Sequence, residues 1–391
     1  MNKPSVKHIL PVIVIAQFCC TSLWFAGNGV LSDLIASFSL GSNALGSLTS
    51  AVQFGFITGT LVFAVLTIAD RFSPSKVFMV SAVLGAVFNA AVIWEGNTLY
   101  SILSLRFLTG FFLAGIYPVG MKIAADYFKE GLGKSLGYLV GALVLGTALP
   151  HLLKGLAADY SFTTVLLTIS GLSVLGGILI FLLIPDGPYR SASEKPNFSA
   201  FFTVFRKPEF RAAAFGYFGH MWELYAFWAF VPVIIDIYNK LHPSAALSVP
   251  FLSFAIIGIG GLACVLGGYL SQKRGLKRVA FLALLGSGIC CVLSPLFFKA
   301  PPILFIVLML FWGMLVIADS PLFSTLVAHN AEGKFKGTAL TIVNCIGFAI
   351  TIISIQLLSN LILNISPTNV YMVLAVGPFL GLIALGGMRR G

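Results

Sequence analysis

His220 and Glu223 sit one helical turn apart inside the apolar run GYFGHMWELYAFWAF, residues 216–230. An imidazole and a carboxyl at that spacing can share a hydrogen bond, exchange protons or hold a polar ligand. Residues three apart occupy one face of a helix, so His220 is expected to reach Glu223. Tyr217, Trp222, Tyr225 and Trp228 crowd the same segment. An uncompensated charge at mid-bilayer costs at least ~2.5–3.5 kcal/mol on insertion scales, so such a group must be neutral, paired or wetted. Two readings follow. The pair either ties its helix to a neighbour, or faces a central cavity and takes up and releases protons. Two ligands are too few to argue a metal site.

These residues need a membrane around them, and the composition supplies it. The chain has 391 residues, 58% hydrophobic and 9% charged, against about a quarter charged in a soluble domain. Apolar stretches of roughly twenty residues recur throughout, the length that crosses a ~30 Å hydrocarbon core as helix. Unbroken apolar runs exclude a β-barrel, whose strands alternate. Twelve spans are expected, near 9–31, 45–69, 76–94, 98–122, 132–153, 161–184, 212–235, 247–271, 277–298, 302–327, 337–360 and 368–387. The formal net charge of +11 is not a nucleic-acid footprint. Lys and Arg concentrate in both tails, including Lys3, Lys7, Arg389 and Arg390, and in alternate loops. That bias puts both termini in the cytoplasm. The six cysteines all fall within spans, lack metal or redox spacing, and read as small packing residues.

Other polar groups share the hydrocarbon region. Gln17, Thr21, Trp24 and Asn28 fall on one face of the first span and are expected to line a cavity or bond a neighbouring helix. Arg106 lies in the fourth span. It either snorkels to the headgroups or faces the cavity, pairing an acid or an anionic substrate. Asp319 precedes Ser320-Pro321 in the tenth span and could bind a proton, cap a break or join an inner gate. Asn344 is a further substrate-binding candidate, with Gln53, Tyr117 and Gln356 weaker ones.

The longest polar interval, 185–211, divides the chain into a six-helix bundle over 1–184, a cytoplasmic linker, and a second bundle over 212–391. The halves repeat at an offset of about 202–203 residues. ADRFSPSKV (69–77) matches SQKRGLKRV (271–279), GLGK (131–134) matches GKFK (333–336), and Pro118 falls on Pro321. Gln17 falls on His220 at the same offset. Parallel repeats of this kind place a substrate site near the midplane. Two pseudo-symmetric six-helix bundles in an all-α membrane protein, with these basic loops, resemble the major facilitator superfamily. The resemblance implies a cytoplasmic gate latched by Asp70, Arg71 and Lys76 in one loop and by Gln272, Lys273 and Arg278 in the other. Leu66 and Ser73 stand where the family has glycines, and Gln272 replaces its acid. RFLTGFFLAG (106–115) is similar to the family's arginine-plus-glycines motif, whose arginine is implicated in proton coupling in some members.

The expected function is secondary active transport of a small organic solute by alternating access. Coupling to protons is expected through Glu223, His220, Arg106 and Asp319, with no cofactor beyond the proton gradient. No P-loop is present, so ATP is not the expected energy source. No catalytic constellation marks an enzyme. Rival readings are a proton-driven drug or metal exporter and a non-transporting solute sensor. The expected setting is a monomer in a bacterial inner membrane, with lipid and a small molecule as partners and no nucleic acid.

Overall fold

The structure is a computed structural model describing residues 8–41, 43–128, 132–156, 161–190, 203–331 and 336–387, with the side chains of 132–134 left out. Lys3, Lys7, Arg389, Arg390, Gly131 of GLGK, most of GKFK and much of the linker lie outside the described residues. The chain divides into two compact units, Met1–Lys195 and Pro196–Gly391. That division falls inside the 185–211 interval. Among the described residues, ten helices are long and apolar enough to cross a membrane, and two shorter apolar stretches, Ile9–Thr21 and Val370–Gly386, stand at the first and last span positions. Every described element is helical. Large apolar side chains such as Phe54, Leu262, Phe311 and Phe379 are exposed on the helix exteriors, as lipid contact requires.

In the first unit, the helices are α1 (Ile9–Thr21), α2 (Ala26–Gly29), α3 (Leu31–Phe38), α4 (Ala44–Val65), α5 (Ile68–Arg71), α6 (Pro74–Ala90), α7 (Leu99–Leu113), α8 (Tyr117–Tyr127), α9 (Leu132–Leu156) and α10 (Phe162–Leu183). The second unit holds α11 (Pro208–Leu241), α12 (Val249–Arg274), α13 (Leu276–Phe297), α14 (Pro302–Ala318), α15 (Ser320–Asn330), α16 (Lys336–Leu361) and α17 (Val376–Gly386).

Four spans differ notably from their sequence outline. The first is not one helix: α1 ends at Thr21, and the chain turns through Ser22–Phe25 before α2. The fourth and tenth break between α7 and α8, and between α14 and α15. Proline explains both places. It lacks an N–H and disfavours helical geometry in the residue before it, but suits the first turn of a new helix. Pro118 and Pro321 each occupy the first turn of the second segment. The seventh span, α11, is longer than outlined, running 34 residues without interruption despite Pro232.

Both units pack by one scheme. The second-span helix packs on the fourth (α4 on α7), and the eighth on the tenth (α12 on α14). The first packs on the fifth and sixth (α1 on α9 and α10), and the seventh on the eleventh and twelfth (α11 on α16 and α17). The closest approaches use glycine, as membrane helix interfaces do. A Cβ on Gly110 would lie 2.0 Å from the Val52 carbonyl oxygen. One on Gly313, its repeat mate, would lie 2.1 Å from the Ile256 carbonyl oxygen.

Gly110→Ala and Gly313→Ala should therefore each lower stability by roughly 1–3 kcal/mol, the usual range for overpacking. Gly137→Ala, where a Cβ meets nothing within 4 Å, should leave the melting temperature unchanged or slightly raised. Thermal melts of the three purified variants decide it; equal effects at all three positions would contradict the close-packing assignment.

Candidate functional site

The expected His220–Glu223 pair does not form. Residues three apart on a helix are offset by about 60° around its axis, and α11 is packed on several sides. His220 turns toward the break in the tenth span, where its Nδ1 lies 2.8 Å from Asp319 Oδ1. Each side chain is 1% exposed. Both Asp319 oxygens and His220 Nε2 lack a hydrogen-bond partner among the described residues. Asp319 sits at the entry of α15, where unsatisfied N–H groups and the helix dipole favour negative charge. Tyr217 and Phe323 place their rings about His220, with centroids 6.1 and 6.0 Å away.

Glu223 points instead into the interior of its own unit. Its Oε1 accepts from Trp312 Nε1 at 2.7 Å and from Cys291 Sγ at 3.2 Å. Its Oε2 accepts from Ser287 Oγ at 2.8 Å. Ser287 and Cys291 are four apart on α13 and so share a face. Three donors from α13 and α14 thus cage a carboxyl that is 1% exposed. One sequence signal for this cage went unused: Cys291 is one of the residues read as simple packing. Near the same helix, Tyr217 donates to Asn344 Oδ1 at 2.8 Å, joining α11 to α16.

Arg106 in the first unit neither snorkels nor pairs with an acid. It is 1% exposed. Its Nη2 donates to the carbonyls of Leu23 at 2.8 Å and Trp24 at 3.0 Å, and its Nη1 to Asn89 Oδ1 at 2.9 Å. Asn89 in turn donates to Ser170 Oγ and to the Leu166 carbonyl. Leu23 and Trp24 lie in the turn after α1, where a helix end leaves carbonyls without internal partners. A cation is favoured at such a terminus. Arg106 therefore stabilises the break in the first span.

The polar face of the first span survives that break only in part. Trp24 Nε1 donates to Gln53 Oε1 at 3.3 Å, and Asn28 Nδ2 to Thr49 Oγ1 at 2.8 Å, both on α4. Thr21 Oγ1 donates to the Gln17 carbonyl at 2.8 Å. The Gln17 side chain, 0% exposed, has no partner for either amide atom among the described residues. It lies against Gly120, where a Cβ would come within 2.3 Å of its Oε1.

At the α4–α6 turn, Asp70 Oδ1 lies 2.9 Å from Lys122 Nζ, which also reaches Asp126 at 3.7 Å. Arg190 donates to the carbonyls of Asp70 and Phe72 and pairs with Asp186. Ser73 donates to Asp186 Oδ1 at 2.6 Å. Arg71 and Lys76 are exposed. In the second unit, Gln272, Lys273 and Arg278 are exposed, and no described residue bonds to them. The two turns also differ in backbone. Gly275 takes φ +85°, whereas its mate Ser73 has φ −57° and left-handed geometry falls on Thr67 at φ 50°.

Arg106→Lys should destabilise by about 1–3 kcal/mol, because one ammonium cannot reproduce a planar fork spanning Asn89 and two carbonyls. Glu223→Gln should also destabilise, since its amide replaces one acceptor oxygen with donors facing donors. Thermal melts check both; wild-type melting for Glu223→Gln would contradict the caged arrangement.

Comparisons with known proteins can now be set beside this geometry. A search of curated proteins gives no match. Among solved structures, the proton:xylose symporter XylE, bound to 6-bromo-6-deoxy-D-glucose, superposes with TM-score 0.75 at 14% identity, covering 98% of this chain and 95% of that one. The nucleoside transporter NupG superposes with TM-score 0.73 at 14% identity, covering 99% and 100%. An inward-facing, unoccupied bacterial homolog of the human lysosomal transporter Spinster gives TM-score 0.71 at 14% identity, covering 99% and 95%. At that identity these likenesses show the fold alone. The family model for the Major Facilitator Superfamily matches residues 13–355, and the chain belongs to that superfamily of membrane transporters.

Proposed function

We propose that this transporter moves a small organic solute by alternating access, driven by protons exchanged at the His220–Asp319 couple. The observation that carries this reading is the couple itself. It joins α11 to the break between α14 and α15, it is 1% exposed on both sides, and its outer atoms have no other described partner. A proton added to this pair changes the charge of the contact that holds two helices together. A helix break is also a place where a backbone can move with least disruption of its hydrogen bonds. Proton gain or loss there can bias one arrangement over another, provided the two arrangements differ in affinity for the proton.

Glu223 supports this division of labour. Its oxygens are already bonded by Trp312, Ser287 and Cys291, so a proton there competes with three built-in donors. Asp319 has no such cage. Arg106 is committed to the Leu23 and Trp24 carbonyls and to Asn89, which argues for a hinge-supporting role rather than a coupling one. The superposition on a structure described as a proton:xylose symporter is compatible with coupling to protons.

In proteoliposomes, Asp319→Asn should abolish solute accumulation driven by an imposed pH gradient while retaining solute exchange without a gradient. Glu223→Gln, where it folds, should retain part of the gradient-driven uptake. Full gradient-driven accumulation by Asp319→Asn would remove the couple from the mechanism.

A further inference from the structure

The first unit contains a second set of buried polar atoms that the proton-exchange reading does not use. Gln17 Nε2 and Oε1, Gln53 Nε2, Thr147 Oγ1 and His151 Nε2 have no hydrogen-bond partner among the described residues. Gln17, Gln53 and Thr147 are 0% exposed and His151 is 3% exposed. Leaving such a group unpaired in a dry interior costs roughly 1–3 kcal/mol, so native proteins rarely do it without a purpose.

Their elements are neighbours. α9 packs on α1 and α2, and α2 packs on α4. Gly146 and Pro150 fix the orientation of α9. A Cβ on Gly146 would meet Thr21 Oγ1 at 2.2 Å, and one on Gly29 would meet Pro150 Cβ at 2.6 Å. Thr147 and His151 each follow one of these contact residues, one turn apart on a shared face. Depth agrees as well. Gln53 is nine residues from Ala44, where α4 begins, and Thr147 is nine residues from Leu156, where α9 ends. Those two helix ends lie on the same side of the bundle, since Lys154 pairs at 2.7 Å with Asp33 in α3, just before α4. At 1.5 Å per residue, both groups sit about 13 Å in, near mid-bilayer.

We propose that Gln17, Gln53, Thr147 and His151 form a subsite that binds an uncharged, hydroxyl-rich solute. This inference rests on the transporter reading above and names its substrate class. The four residues offer amide, hydroxyl and imidazole groups, each able to donate or accept, and include no carboxylate, lysine or arginine. Arg106, the buried cation in the same unit, has its guanidinium engaged by Asn89 and two carbonyls, so it is not displayed for an anion. A solute with several hydroxyls carries both the donors and the acceptors that such groups need. A site built to hydrogen-bond hydroxyls strongly rejects an analogue lacking them.

The test is equilibrium binding to the purified full chain, without any gradient, using ribitol and ribose against lactate, choline and 1-pentanol. Ribitol or ribose should bind and raise the melting temperature, and the charged and apolar probes should not. Thr147→Val and Gln53→Leu should each weaken binding about fivefold to tenfold, the effect of one lost hydrogen bond. Thr147→Ser should restore affinity. Thr58→Val, a half-buried position on α4 whose hydroxyl bonds the Phe54 carbonyl of its own helix, should leave it unchanged. Preferential binding of a charged or apolar probe, binding of none, or unchanged affinity in Thr147→Val and Gln53→Leu would overturn the subsite. Binding without flux in liposomes would count against transport alone.

Discussion

A charge cannot be left uncompensated in hydrocarbon, and the internal architecture of both units follows from how each buried charge is answered. The answers differ in kind. Arg106 is met by backbone carbonyls and an amide, all neutral. Glu223 is met by an indole, a hydroxyl and a thiol. His220 and Asp319 are met by each other. The first two answers are each built from several hydrogen bonds. The third pairs an acid with a base, so a single added proton changes its net charge by one unit, and the proposed coupling is placed there for that reason.

The breaks in the spans follow the same constraint. Interrupting a helix in lipid exposes backbone groups that must find new partners. In the first span the freed carbonyls take Arg106. In the tenth, Asp319 sits where a new helix begins. The fourth span breaks at the repeat-equivalent place, ahead of Pro118, but has Ile116 where the second unit has Asp319. One ancestral geometry thus carries a titratable group in one unit and an apolar residue in the other. The close glycine contacts at Gly110 and Gly313 repeat faithfully, because packing constrains them equally in both units.

Much of this was legible in the sequence. Hydropathy and the distribution of Lys and Arg sufficed for a twelve-span, two-bundle fold, because span length and loop charge are set by the bilayer rather than by packing detail. The offset of about 202–203 residues aligned Pro118 with Pro321, and each stands in the first turn of a new helix. What failed was helix rotation. Spacing put His220 and Glu223 on one face, but which neighbour each meets depends on the positions of α13, α14 and α15, and no local pattern encodes those. The Gln17–Asn28 stripe holds only in part: Trp24 and Asn28 bond the neighbouring α4, but the helix that was to carry the stripe is broken. A 3.6-residue period assumes a continuous helix, and no proline or glycine pair announced the turn at Ser22–Phe25. Arg106 was recognised as important, but its partners are main-chain carbonyls, which carry no side-chain signature. Thr147 and His151 were overlooked because a lone hydroxyl and a lone imidazole in an apolar helix look ordinary until their missing partners are seen.

The most direct probe of proton exchange at His220–Asp319 is infrared difference spectroscopy of the purified protein between acidic and alkaline buffer, reading the carbonyl stretch of protonated carboxyl groups. The expected result is a carboxyl band that grows on acidification in wild type and in Glu223→Gln but is missing in Asp319→Asn. A band that persists undiminished in Asp319→Asn, or that vanishes only in Glu223→Gln, would place the exchangeable proton on the caged carboxyl and contradict the assignment.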